Sequence, residues 1–204
     1  RTSARPGRVA GAYWRLVITP AYVLPAASLS IGIGYLFCYL GGASYVYQGH
    51  YGLNQAEFGL IFGVTGSAAL LGAVAAHLLS ARLRTTTLAK VGCCVLVAGA
   101  GVSLAAAAVT VGVFVMAGGM FLGLFGLGLM EPALMSMCLA AAREGFGAAS
   151  ALVGAAQNFL GGLATVVVAS YIGENPVGWT VPMVMFALLA TALALRASHN
   201  ESSI

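Results

Sequence analysis

Apolar residues run through this chain in long unbroken stretches, and the few charged residues fall between them. No Asp, Glu, Lys or Arg occurs at 16–56, 58–81, 91–130, 145–173 or 175–195. A helix needs about 20 apolar residues to cross a hydrocarbon core. Residues 91–142 hold one charge, Glu131, and suffice for two spans joined by a tight turn at Thr110-Val111-Gly112. The pattern predicts six transmembrane helices, at about 17–42, 57–81, 89–110, 113–140, 147–172 and 179–196. Residues 1–16 are then a cytoplasmic linker, 17–196 a six-helix transmembrane domain, and 197–204 a cytoplasmic tail.

Composition narrows the class. The 204 residues are 60% hydrophobic and 7% charged, against roughly 25% charged in a soluble domain. So few charges cannot coat a water-facing globule, which excludes a soluble enzyme, a disordered chain and a secreted disulfide scaffold. Gly numbers 28, about twice the usual roughly 7%, as expected where helices pack closely through small residues. Cys38, Cys93, Cys94 and Cys138 all sit in apolar segments without metal-ligand spacing, and are read as small buried hydrophobes. No cofactor motif and no metal site is read from the sequence.

Charge placement predicts orientation. Arg1, Arg5, Arg8 and Arg15 precede the first span, and Arg82, Arg84 and Lys90 separate the second from the third. Arg143 follows the fourth span and Arg196 the sixth. The opposite loops, Gln48–Glu57, Thr110–Gly112 and Gly173–Gly178, hold no Lys or Arg, so the split is nine to none. The positive-inside rule puts both termini in the cytoplasm. Tyr45, Tyr47, Tyr51 and Trp179 are expected at the outer interface, and Tyr13 and Trp14 at the inner one. The basic residues form no stripe, so nucleic acid is not an expected partner. The chain opens without Met in a basic stretch that lacks a signal-peptide pattern, and is expected to be a piece of a longer chain.

An internal repeat is visible at an offset of 88 positions. Phe58-Gly59 matches Phe146-Gly147, Gly66 matches Gly154, Ala68 matches Ala156 and Ala76 matches Ala164. The matched spans run in opposite directions, the pattern of two inverted three-helix units used by secondary transporters.

Glu131 is the one acidic residue well inside an apolar run. A charge at the bilayer centre costs about 2.5–3.5 kcal/mol on insertion scales, so the residue is expected to face the bundle. It either couples protons or recognises a cationic substrate, or it is a neutral Glu hydrogen-bonded to a neighbouring helix. Pro132 follows it and removes a helix N–H. Gln157 and Asn158 fall mid-span, where polar groups line a substrate site or bridge helices. Met135 shares the Glu131 face with Met120, Leu124 and Cys138, a soft lining or plain packing. Gly119, Gly123 and Gly126 form a stripe in the fourth span, with Gly154 and Gly161 in the fifth and the Gly59–Gly63 pair in the second. These are read as packing or gating positions. Pro20 and Pro25 are expected to bend the first span. Asn175-Pro176-Val177 is read as a turn.

Ser44-Tyr45-Val46-Tyr47, then Tyr51-Gly52-Leu53 and Glu57-Phe58-Gly59-x3-Gly63, resembles the stretch between helices seven and eight of the bicyclomycin/chloramphenicol-resistance (Bcr/CflA) drug:proton antiporters. Gly147-Ala-Ala-Ser150-Ala-Leu152-Val-Gly154-x6-Gly161 resembles their segment opening helix eleven, and Pro132-Ala133 their Pro-Asn-Ala region in helix ten. Tyr45 stands where that family usually has Pro. The likeness covers roughly residues 30–195. It implies the C-terminal six-helix half of a twelve-helix major facilitator, an inner-membrane efflux transporter rather than an enzyme. The expected partners are a small-molecule substrate, protons, membrane lipid and a missing N-terminal six-helix half. A six-helix channel and an intramembrane protease are the rival classes. The first lacks paired half-helix motifs, and the second a mid-membrane His.

Overall fold

A computed structural model describes residues 6–109, 112–142, 145–171 and 175–201. Seven helices and no strand occur among them: α1 (Pro6–Val17), α2 (Pro20–Ser44), α3 (Gln55–Ser80), α4 (Thr85–Ala108), α5 (Val113–Ala142), α6 (Phe146–Tyr171) and α7 (Pro176–Glu201). The protein is an all-α membrane protein, and α2 to α7 are the six helices long and apolar enough to span. Each expected span lies within a few residues of the helix that forms.

Local chemistry sets the ends. Pro20 stands at the first turn of α2 rather than inside it, where a missing N–H costs nothing. Thr19 before it is extended (φ −95°, ψ 109°), as a residue preceding Pro prefers. Pro20 therefore separates α1 from α2 and does not bend a span, whereas Pro25 does lie inside α2. Residues assigned to a linker thus fold as the short helix α1, with Trp14, Val17 and Ile18 exposed and Leu16 buried. At the far end, α7 runs on through residues assigned to the tail. Asn54 caps α3, accepting from the N–H groups of Ala56 (2.9 Å) and Glu57 (3.0 Å). The Glu57 carboxylate returns a bond to the Asn54 N–H (2.9 Å), closing a capping box. The Asn175 side chain accepts from Val177 N–H (2.9 Å) at the start of α7, in keeping with the expected turn.

The helices pack in an exchanged pattern. α2 packs chiefly on α6 and α7, α5 chiefly on α3 and α4, and the pairs α2–α5 and α4–α7 meet at the centre. Interchanging the triplet α2, α3, α4 with α5, α6, α7 maps these contacts onto each other. Matched positions share environments too: Ala76 and Ala164 are buried, and Gly66 and Gly154 both face open space. α2 and α5 are the most buried spans, α3 and α6 the least.

Small residues bring the backbones together. A Cβ at Gly99 of α4 would fall on the Gly123 backbone of α5. One at Gly126 would fall on the backbone of Leu96, and one at Gly119 on Ser103. Gly72 and Gly128 join α3 to α5 in the same way, against the Phe125 and Ala69 carbonyls. Gly161 of α6 receives the Phe37 ring of α2. Gly59, Gly63 and Gly154 have nothing within reach of a Cβ, so they make no close approach among the described residues. The Gly59–Gly63 spacing resembles a packing motif, but it falls on the outer face of α3, which no helix covers.

Candidate functional site in the membrane plane

Three sets of contacts fix the depth of the polar residues. The Tyr22 hydroxyl donates to the Ala149 carbonyl (2.7 Å), a sequence separation of 127. Cys38 Sγ approaches the Ala164 carbonyl (4.0 Å) at a separation of 126. Helices α2 and α6 therefore run parallel in a nearly constant register. Helix α5 runs against them: Tyr35 lies against Gly123 and Met120, and Gly32 against Leu127 and Met130. Glu131, the residue after Met130, thus shares a level with Gln157 and Asn158 near the middle of the bundle.

Glu131 is exposed on the six-helix unit, and so is Pro132. This corrects the expectation that Glu131 faces the bundle interior. The interior seams of α5 are taken by its glycines against α3 and α4 and by the Met120–Met130 stretch against α2. Its neighbours Met130, Leu134 and Cys138 are buried, and Met135 is half-buried. Glu131 makes no hydrogen bond or ion pair with any described residue. Helix α5 continues past Pro132 as one element.

Gln157 is half-buried and Asn158 exposed. The Asn158 amide donates to the Gly154 carbonyl one turn back (2.8 Å), so it is held along its own helix rather than by a neighbour. Glu131, Gln157 and Asn158 therefore share a depth, and Met135 lies one helical turn further along α5. The structure gives no contact between Glu131 and either amide.

The end of the bundle away from Arg82, Arg84 and Lys90 holds a cluster that periodicity did not disclose. Trp179 and Tyr47, expected at an interfacial belt, are both fully buried. The indole Nε1 of Trp179 donates to the Cys38 carbonyl (2.8 Å). Tyr39 stacks on Phe62 (5.4 Å between centroids) and on Trp179 (6.0 Å), and Tyr47 meets Trp179 edge-on (5.8 Å). The Tyr39 hydroxyl is 2.5 Å from the Thr65 hydroxyl. Tyr47 lies in a wide turn, Tyr45–His50, that continues α2 with one extra residue per turn. Its hydroxyl is buried without a hydrogen-bond partner among the described residues. Burial raises the Tyr51 phenol above its ordinary value, which keeps it neutral. Aromatic spacing at 35, 39 and 47 was the available signal. It was outweighed by the position of Tyr47 and Trp179 near span ends.

Of the four cysteines, Cys38, Cys93 and Cys138 are buried and Cys94 is exposed, so the expectation of four buried thiols fails at Cys94. That residue sits with Val91 and Val102 on the outward apolar face of α4. Thr110, Val111, Arg143 and Gly173 lie outside the described residues.

The sequence matches no protein-family model and no curated protein.

Proposed function

We propose that this chain is half of a secondary transporter of the major facilitator type. It moves small drug-like molecules outward in exchange for protons, by alternating access. The observation that carries the reading is Glu131, a carboxyl group exposed mid-span on a unit whose helices exchange partners in two matched triplets. Hydrocarbon cannot cover such a group cheaply. Water in a cavity, or another bundle of helices, must meet this flank of α5. An N-terminal six-helix half fits that place, and rocking between halves would open the Glu131 level to either side in turn. Gln157 and Asn158, at the Glu131 level, and Met135, one turn further along α5, are the cavity residues in this reading. Pro132 and the glycine seams of α5 are the packing or gating elements. The nine-to-none distribution of Lys and Arg supports cytoplasmic termini in a bacterial inner membrane.

The test is efflux by the full-length gene product carrying Glu131→Gln. Gln keeps the shape and hydrogen bonding of the protonated acid but cannot release a proton. Expression should survive while the response of drug efflux to a pH gradient is lost. A Gln variant with wild-type efflux and wild-type pH response defeats the coupling role.

A further inference from the structure

The basic end of the bundle holds a recess, away from Glu131. It lies between the start of α2 and the end of α7, has a volume of about 520 Å³, and is lined by Leu24, Leu195, Arg196, His199 and Asn200. Arg196, His199 and Asn200 occupy the last turns of α7 and are exposed, while Leu24 sits one turn inside α2. The recess is therefore polar and cationic on the side where the helices leave the membrane, and apolar on the side facing its interior. Arg15, Arg82, Arg84 and Lys90 lie at the same end of the bundle and are all exposed, and with Glu144 and Glu201 counted against them this end still carries more basic than acidic residues.

We infer that this recess binds the phosphodiester headgroup of an anionic phospholipid. Arg196 supplies a charge-assisted fork of donors, which suits phosphate oxygens. The amide of Asn200 adds further donors. Leu24 and Leu195 receive the first carbons of an acyl chain. A basic pocket between transmembrane helices at the membrane surface is a recurrent lipid-headgroup site. A free phosphate would gain the donors but leave the two leucines uncovered, which favours a lipid. The site needs only that α2 and α7 end at a membrane surface, and stands independently of the transport reading.

The experiment measures the unfolding midpoint of the purified full chain in neutral detergent. Phosphatidylglycerol, phosphatidylcholine or inorganic phosphate is added at matched concentration. Phosphatidylglycerol should raise the midpoint by roughly 3 °C more than phosphatidylcholine, the shift expected from ligand at a few times its Kd for a chain of this size. Inorganic phosphate should leave it unmoved. Arg196→Gln should lose at least half of the phosphatidylglycerol increment. Native mass spectrometry of Asn200→Leu, with the arginine intact, should show fewer retained phosphatidylglycerol molecules, and covers the case in which the arginine variant does not fold. Equal shifts from the two lipids overturn the inference. So does an equal shift from inorganic phosphate, and so does a full increment in Arg196→Gln.

Discussion

The indole N–H of Trp179 on α7 donates to the main-chain carbonyl of Cys38 on α2 across 2.8 Å, with both residues shut away from the surroundings. That carbonyl belongs to a transmembrane helix and uses a second lone pair for the bond, so the contact ties two spans without breaking either ladder. The aromatic rings of Tyr39 and Tyr47 close over it. Trp179→Phe keeps most of the ring and removes the donor. It should destabilise by about 1–2 kcal/mol, the worth of a buried hydrogen bond, and thermal unfolding in detergent measures it. Trp179→Ala should cost about 3–5 kcal/mol through the cavity. If Phe and Ala behave alike, ring packing is not what holds this end together.

The buried Tyr47 hydroxyl gives the opposite expectation. It has no partner among the described residues, and an unsatisfied buried hydroxyl costs about 1–3 kcal/mol. Tyr47→Phe should leave stability unchanged or raise it, by up to about 1 kcal/mol. A clear loss in the unfolding midpoint would mean that a bound water or ligand uses that hydroxyl.

Close backbone approach between α4 and α5 can be tested within one helix. A Cβ at Gly99 would strike the Gly123 backbone, which cannot turn aside, whereas Gly101 on the same helix faces open space. Gly99→Ala should destabilise by about 1–3 kcal/mol, the range for overpacking. Gly101→Ala should be neutral or gain up to about 1 kcal/mol from helix propensity. Equal effects at the two positions would show that the seam is looser than its geometry.

Much of the fold was legible because span length is a blunt requirement. A charge-free run such as 58–81 has few ways to fold other than across a membrane. Side-chain environments were less legible, because they depend on which face a neighbouring helix covers. Trp179 reads as an interfacial residue from its place near a span end, yet the Tyr45–His50 turn that continues α2 packs Tyr47 against it. Glu131 reads as buried from its apolar neighbours, yet α5 turns Met130 and Leu134 inward and leaves position 131 outside. Gly154 reads as a packing residue from its spacing with Gly161, but only Gly161 meets another helix. Helix α1 was hidden because the same basic residues that mark a cytoplasmic segment also obscure a short amphipathic helix.

Orientation can be checked without any activity. Gln55 opens α3 at the end of the bundle away from the basic residues, and Ser80 lies in the last turn of that helix, on the basic side; both are exposed. In intact cells a membrane-impermeant thiol reagent should label Gln55→Cys and spare Ser80→Cys, both built on a Cys94→Ser background. Reversed labelling would overturn the positive-inside assignment.

Whether the Glu131 flank meets water or lipid is decided by comparison with Cys94. Both side chains are exposed on the six-helix unit and both sit within spans. Cys94 has Val91 and Val102 beside it, an apolar face suited to acyl chains. Glu131 is a carboxyl group, and placing a charge against lipid at that depth costs about 2.5–3.5 kcal/mol. If the flank lines an aqueous cavity, water relieves that cost, and a thiol at position 131 can ionise. The thiolate is the reactive form and needs water around it. In the full-length protein, Glu131→Cys should therefore react with a charged, membrane-impermeant thiol reagent. Native Cys94 should react only with an apolar, membrane-permeant one. Excess transported drug should slow labelling at 131, because the proposed cavity residues Gln157 and Asn158 lie at the same level. Labelling of Glu131→Cys only by the permeant reagent, at the Cys94 rate, would place this flank against lipid and remove the aqueous path that proton exchange requires.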